Sequence, residues 1–513
     1  MPVRIVKNCM LFVLSLSWKF WCVVQAHRLS SPPHIVFIVA DDLGWNDVSW
    51  HNPDIVTPNL ERLARDGIIL NQSYVQPVCT PSRTAFMTGY FPFHVGRQNH
   101  VLHPLEPTGV PLKFTLLPEK LRDYGYSSHA IGKWHLGYCN WSYTPTYRGF
   151  DSFFGFYSGS EDYFTHTRGQ KDFLYFKEGT EWQWLNSNTG LDFRQGTSPA
   201  TNYSGKYSTH VFARIMTNLL STLDPSVPHF FYLPFQAVHG PLQVPKKYMR
   251  FYENIKDKSR KIFSGMVTAL DEAVGKIVAS LKKYGFYRNS VIVFVTDNGG
   301  QVQSGGNNWP LRGNKGTLWE GGTRGPSFVH SRLLEETGYI SNKLVHAVDW
   351  YPTFVDIAGG LPDNTMDGVS QWTTLRTNGP EVRNEFVYNI FDTGRKPPKD
   401  AIRVGNFKLI RGFPGDPSGW IPPPSVHFTH ASAQQCYVRR KGYEEEIRLF
   451  NIQDDPTERY NLVHVLPDRV QKMIHRLEEH RATMVPADDP PDNDHGNPKF
   501  WNGIFSPGWC EAH

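Results

Sequence analysis

The residue that sets the chemical question is Cys79. It opens the stretch Cys79-Thr80-Pro81-Ser82-Arg83-Thr84-Ala85-Phe86-Met87-Thr88-Gly89. Thr80-Pro81 predicts a helix start, since Pro loses no bond in the first turn, and Gly89 predicts the stop. Cys79 is thus expected just outside a helix N-terminus, where open backbone N–H groups and the dipole favour an anion. One helical turn can bring the Arg83 guanidinium back to the same point. A lone Cys in such a place is more often a small buried hydrophobe than a reagent. Other segments keep it company. Asp41-Asp42 ends an apolar run, and adjacent carboxylates repel unless a cation or solvent relieves them. Lys133 and His135, two apart on an extended segment, face the same way and suit an anionic substrate. His239 and Asp297-Asn298 each follow a strand-like run, and Lys315 closes a Gly-rich stretch. Asp41, Asp42, Asp297 and Asn298 offer hard oxygens of the kind calcium collects, with magnesium as the alternative. A set without His or thiolate ligands argues against zinc.

These groups need elements to bring them together. His34 to Ala40, His229 to Leu233 and Val291 to Thr296 are near-continuous apolar runs, as in parallel strands buried on both faces. Helices are predicted from Pro58 to Arg65, Pro118 to Tyr124, Ile262 to Tyr284 and Asp349 to Ala358. Alternating strands and helices argue a doubly wound parallel or mixed sheet. Functional groups of such sheets sit at the carboxyl ends of the strands. Residues 150–205, rich in aromatics, Gly, Ser and Asn, predict a long surface excursion that shapes a pocket. Past about residue 380 the texture changes. Glu385 to Ile390, Ala401 to Leu409 and Ile447 to Phe450 read as short antiparallel strands, and Asp468 to Glu479 as one helix. The expected division is a leader over 1–26, a catalytic domain over 27–380 and a smaller α+β domain over 381–513.

Residues 1–26 have the basic start, apolar middle and small-residue end of a signal peptide. No other stretch approaches the roughly 18 apolar residues that a membrane span needs. The mature protein is expected in the secretory pathway, lysosomal or extracellular. Three Asn-x-Ser sequons, at Asn71, Asn140 and Asn202, fit a glycoprotein. The chain is 40% hydrophobic and 20% charged, an ordinary globular composition. Loss of Arg4, Lys7 and Lys19 with the leader lowers the formal charge from +5 to +2. All 21 His lie beyond residue 26, so at a lysosomal pH of about 5 exposed imidazoles would make the surface cationic, favouring a polyanionic substrate. No Lys/Arg-rich run marks nucleic-acid binding. Once Cys79 is set aside, Cys139, Cys436 and Cys510 remain beyond the leader, an odd count that excludes a disulfide scaffold.

Cys79-Thr80-Pro81-Ser82-Arg83 resembles the sulfatase signature Cys-x-Pro-Ser-Arg. Gly125-Tyr126, followed by Gly132-Lys133-Trp134-His135, resembles the second signature of that family. The likeness continues through Ala40 to Val48, Gly159 to Tyr163, Val238 to Pro245 and Gly306 to Gly313. In these motifs the chain is nearest to the arylsulfatases, in the branch of arylsulfatase B (N-acetylgalactosamine-4-sulfatase) and arylsulfatases I and J. The resemblance implies an alkaline-phosphatase-like fold. It implies oxidation of Cys79 to Cα-formylglycine by the formylglycine-generating enzyme, the aldehyde hydrate then attacking sulfur. It further implies Asp41, Asp42, Asp297 and Asn298 as ligands of one calcium ion whose shell Cys79 completes. Arg83 would hold the hydrate, and Lys133 and Lys315 the sulfate. His135 would take the hydrate proton so that sulfate departs, and His239 would serve the leaving alcohol. The substrate implied is a sulfated glycan or aryl sulfate, with N-acetylgalactosamine 4-sulfate units of chondroitin or dermatan sulfate foremost. The competing readings are another sulfatase specificity, a phosphodiesterase or phosphonate hydrolase, and a non-catalytic glycan-binding protein. One departure from arylsulfatase B stands out. Near His103-Pro104-Leu105-Glu106-Pro107 two cysteines are missing, which leaves Cys139 without an evident partner. Cys436–Cys510 is the expected disulfide.

Overall fold

The computed structural model describes residues 31–169, 189–361, 363, 365–394, 398–416 and 447–513. The expected leader, 1–26, and Cys436 lie outside the described residues.

A ten-stranded mixed sheet organises the chain. Its centre is five parallel strands. In chain order they are β1 (His34–Ala40), β2 (Ser127–Lys133), β3 (Ser152–Phe156), β4 (His229–Pro234) and β5 (Ser290–Thr296), and in space they run β5-β1-β4-β2-β3. Antiparallel strands extend both edges. The apolar run of β1 is explained by where its side chains go. Ile35, Phe37 and Val39 enter one core and Val36, Ile38 and Ala40 the other, so both faces are covered. One face carries helices α1 (Pro58–Asp66), α3 (Ser208–Leu220) and α4 (Lys258–Lys283), the other α2 (Cys79–Thr88) and α5 (Trp350–Ile357). Helix α4 starts four residues before the predicted Ile262, because Asp257 caps it by accepting from the Arg260 N–H at 2.7 Å.

A four-stranded antiparallel sheet of Glu385–Ile390, Asp400–Val404, Phe407–Arg411 and Ile447–Asn451 follows, with helix α6 (Pro467–Ala482) against it. The single strand expected from Ala401 to Leu409 is a hairpin. Val404 pairs with Phe407 around Gly405-Asn406, and Gly405 takes φ 55°, a turn conformation open to Gly. A knot of buried charge joins this sheet to the two-stranded ladder of Ser73–Tyr74 and Val345–His346 and to the short helix Glu320–Thr323. Glu320 accepts from Tyr74 at 2.8 Å, Tyr388 at 2.7 Å and Lys408 at 3.0 Å, and Lys408 reaches Glu458 at 2.7 Å.

Two expectations need correction. Residues 150–205 are not wholly a surface excursion, since β3 lies inside the sheet and the Gly159–Tyr163 turn is largely buried. Residues 170–188 of the stretch lie outside the described residues, and in the described part Phe153, Phe154, Phe156, Tyr157, Tyr163 and Phe193 are buried. Cys510 bonds not to Cys436 but to Cys139, 371 residues away. The tail does not remain with its own sheet. It returns to the loop that follows β2, where the N–H groups of Gly508 and Trp509 donate to the Cys139 carbonyl at 2.7 and 3.0 Å.

Candidate active site

The parallel strands end at the same edge, and four of the five ends deliver predicted residues. Strand β1 runs into Asp41-Asp42, β2 into Lys133 and His135, β5 into Asp297-Asn298, and the turn after β4 carries His239. Helix α2 points its N-terminus at this edge. Cys79 is its first residue, with Val78 the cap, so the helix begins one residue earlier than predicted, Pro81 falling within the first turn.

Nine of the ten predicted residues form one network, and His135 stands beside it on the cavity lining. Arg83 donates to Asp297 Oδ2 through Nε at 3.0 Å and Nη2 at 2.8 Å, and to the Lys133 carbonyl at 3.1 Å. Its guanidinium is thus committed to a carboxylate. Lys133 Nζ donates to Asp41 at 2.6 Å, Lys315 Nζ lies 2.8 Å from Asp42 Oδ1, and Asn298 Nδ2 donates to that same oxygen at 2.7 Å. The Cys79 thiol is 3.6 Å from Asp41, and His239 Nε2 is 3.8 Å from Asp42. Above this buried floor opens a cavity of about 540 Å³, lined by Cys79, His135, His239 and Lys315, with His100, His103 and Lys399 on its walls.

Burial dominates the ionisation of the site. It raises the Asp41 carboxyl, and the nearby Asp297 charge adds to that. Burial would raise Asp42 as well, but Lys315 and His239 hold it down to about 2. Burial, then Asp297, pushes the Cys79 thiol well above its ordinary range. The helix N-terminus therefore does not make it a thiolate, and a nucleophile here needs other chemistry. His135 is held neutral by burial, then by Lys133 and Arg83. Its Nε2 lies 2.9 Å from the Leu102 carbonyl, which can only accept, so the proton sits on Nε2. Nδ1 is then a buried acceptor without a partner.

The donor set fits a hard divalent cation. Asp41 and Asp42 carboxylates converge with Cys79 and His239, their ligand atoms within 4.8 Å of one another. Asn298 Oδ1 is buried with no partner, an orphan that a cation would satisfy.

The sulfatase family model matches residues 33–360. The chain belongs to the sulfatase family. This sulfatase is 39% identical over 504 residues to arylsulfatase J of Mus musculus, covering 94% of this chain and 81% of that one. It is 26% identical over 486 residues to the N-acetylgalactosamine-6-sulfatase of the same species, covering 89% and 87%. Among solved structures, Ps i-CgsB in complex with k-i-k-neocarrahexaose aligns with TM-score 0.74 at 28% identity, over 92% of this chain and 97% of that one. The fold is alkaline-phosphatase-like, and the enzyme is a sulfuric ester hydrolase of the arylsulfatase kind.

Several features of the sulfatase site escape motif reading. Asp42 and His135 adopt φ of 59° and 60°, left-handed conformations unusual for non-glycine residues, which aim their side chains. Gly159 must be Gly, since a Cβ would lie 2.7 Å from the His135 ring. Asn308 accepts from the Gly300 N–H and donates to the Gly300 carbonyl, both at 2.9 Å, which fastens the loop bearing Lys315. Tyr163 donates its hydroxyl to the His239 carbonyl at 2.8 Å. These residues fall in or beside the quoted motifs, but what Gly159, Tyr163 and Asn308 touch lies in other segments, which no local signal reveals. Of the sequons, Asn202 is exposed. The Asn71 amide bonds Asn342 at 2.6 Å, and Asn140 donates to the Cys510 carbonyl at 3.0 Å.

Proposed function

We propose that this sulfatase removes sulfate from N-acetylgalactosamine 4-sulfate units of chondroitin or dermatan sulfate, with Cys79 carried as formylglycine. The observation that carries the reading is the placement of Cys79 at a helix N-terminus on the floor of a cavity that His135, His239 and Lys315 also line. When Cys79 is oxidised, its hydrated aldehyde supplies a nucleophilic oxygen, chemistry its protonated thiol would not provide. Asp41, Asp42, Asp297 and Asn298, with the residue at position 79, would hold one calcium ion, which supplies positive charge beside the sulfate.

The chain's own residues do the rest. Arg83 fixes Asp297 in place. Lys133 and Lys315 present ammonium groups for the sulfate oxygens, where charge develops as the S–O bond breaks. The unpartnered His135 Nδ1 is an acceptor for the hydrate proton. His239 Nδ1–H donates to the Gly240 carbonyl at 2.7 Å, so the doubly protonated ring presents Nε2–H to the leaving oxygen. Catalysis is assigned to residues 27–380, the α+β region 381–513 acting as buttress and cavity wall, and Asn202 is the best exposed of the glycosylation acceptors. We further assign the leader 1–26 to secretion and the mature enzyme to the lysosome or extracellular space. No helix among the described residues is long and apolar enough to cross a membrane.

The test is sulfate release from defined glycosaminoglycan oligosaccharides differing in sulfate position, run beside phosphodiesters and phosphonates. Mass spectrometry of the Cys79 peptide from the active enzyme accompanies it. Preference for a 6-sulfate or a phosphonate would overturn the substrate assignment, and an unmodified Cys79 in active enzyme would overturn the nucleophile.

A further inference from the structure

On the cavity wall, apart from the oxygen-rich floor, the loop 100–106 gathers His100, His103 and Glu106. Each offers a ligand atom within 4.8 Å of the others. His100 Nδ1 is 3.8 Å from Glu106 Oε1. Glu106 is only 7% exposed, and its Oε2 has no hydrogen-bond partner. A buried carboxylate oxygen left bare is costly, and either a proton or a cation relieves it. Behind His100 stands a second carboxylate. Asp489 Oδ1 lies 3.3 Å from His100 Nε2, and Asn99 donates to Asp489 Oδ2 at 2.7 Å.

We propose that His100, His103 and Glu106 form a second cation site, selective for a zinc-class metal and separate from the oxygen cluster beneath it. Two imidazoles and one carboxylate are a zinc donor set, whereas calcium takes oxygens alone. The arrangement behind His100 is that of a metal-ligating imidazole, whose far N–H is held by a carboxylate. Ligation through Nδ1 replaces its 2.7 Å contact with the Val101 carbonyl. The ring can make that adjustment, since its side chain is 40% exposed. Three protein ligands leave a fourth position for an anionic oxygen. His100 and His103 line the same cavity as Cys79, so that position faces the substrate. A carboxylate or second sulfate of a bound glycan is the class of group it would take.

The experiment uses the full chain, stripped with chelator and reloaded with calcium. Zinc is then titrated calorimetrically into wild type, His103→Ala, Glu106→Gln and Cys79→Ala, with calcium content and circular dichroism measured on each. The expected result is one zinc per chain in wild type and in Cys79→Ala. His103→Ala and Glu106→Gln should bind it at least about tenfold more weakly while retaining calcium and fold. Glu106→Gln keeps the size of the side chain, so a folding failure of His103→Ala leaves the question answerable. No zinc uptake by wild type, equal uptake by both loop variants, or loss confined to Cys79→Ala would overturn the proposal. The first of these would identify the cluster as a histidine ion pair with Glu106 and Asp489.

Discussion

Two knots of buried charge serve opposite ends in this molecule. The knot between the sheets, made of Glu320, Glu458, Lys408, Arg403, Tyr74 and Tyr388, has every side chain within 1% of complete burial. Lys408 bridges its two carboxylates at 3.0 and 2.7 Å. The knot at the strand ends contains three carboxylates, two lysines and Arg83, yet it borders a cavity and leaves Asn298 Oδ1 and His135 Nδ1 without partners. Buried charges are tolerated when paired, and pairing alone gives rigidity. Orphaned groups beside a cavity mark the knot whose remaining partners are ligands.

The comparison breaks if the two knots respond alike to mutation. The largest expected effect is at Cys79. Cys79→Ala should lower sulfate release by at least about 10⁴-fold and leave thermal stability nearly unchanged, as measured by activity and calorimetry on one preparation. Residual activity near wild type would end the nucleophile assignment. His239→Ala comes next. It should slow hydrolysis of a sugar sulfate by about 10² to 10⁴-fold but affect nitrophenyl sulfate far less, because nitrophenolate leaves without a proton. Equal losses on both substrates would make His239 structural. Lys133→Ala should hurt both alike.

The inter-sheet knot should show the reverse pattern. Lys408→Met strands two carboxylates and should cost about 3–5 kcal/mol in denaturant unfolding, while the folded fraction keeps its turnover. A turnover loss matching the stability loss would dissolve the distinction. Calcium sharpens it further. At a hundredfold excess over its dissociation constant the ion should stabilise wild type by about 2.7 kcal/mol and Asp297→Ala not at all, read as a shift in melting temperature. An equal shift in the variant would place calcium elsewhere.

The smallest effect is on pH dependence. Burial raises the Glu458 carboxyl to about 7. Burial would raise Glu320 too, but Lys408 holds it near 2. With its folded value above the ordinary 4.5, Glu458 carries an extra proton in the native state. Its stabilising contribution is present below about 4.5 and lost as pH rises towards 7. Glu458→Gln should flatten that decline by about 1–3 kcal/mol in unfolding series at the two pH values. An unchanged slope would assign the decline to other groups.

The strand-end knot was largely legible because its residues sit in gapless motifs directly after apolar runs. Asp41-Asp42 after β1 and Asp297-Asn298 after β5 need only the parallel-sheet rule to be placed together. Helical spacing turns Arg83 back towards position 79, and its bond to Asp297, 214 residues away, has no local signal. The inter-sheet knot left no trace in the sequence. Glu320, Lys408 and Glu458 are spread over 139 positions, and isolated charges read as surface. The hairpin at Gly405-Asn406 did carry a local signal, a Gly-Asn pair between two apolar runs, which reading Ala401 to Leu409 as one strand passed over. The Cys139–Cys510 pair was out of reach because it depends on where the tail travels, and nothing local specifies that.

The returning tail also sets a clock. Asn493 N–H donates to the Leu105 carbonyl at 2.8 Å and Val485 N–H to the Phe93 carbonyl at 2.9 Å, so residues near the end of this sequence brace the loop that walls the cavity. Cys510 leaves the ribosome 371 residues after Cys139. At about 5–20 residues per second, that interval is roughly 20 to 75 s. Lys315, the last residue of the site, still precedes Cys510 by 195 positions, so the wall lacks its tail brace even after the whole site has been made. A chain cut short before Cys510 would then carry the whole floor of the site with one wall left unfastened.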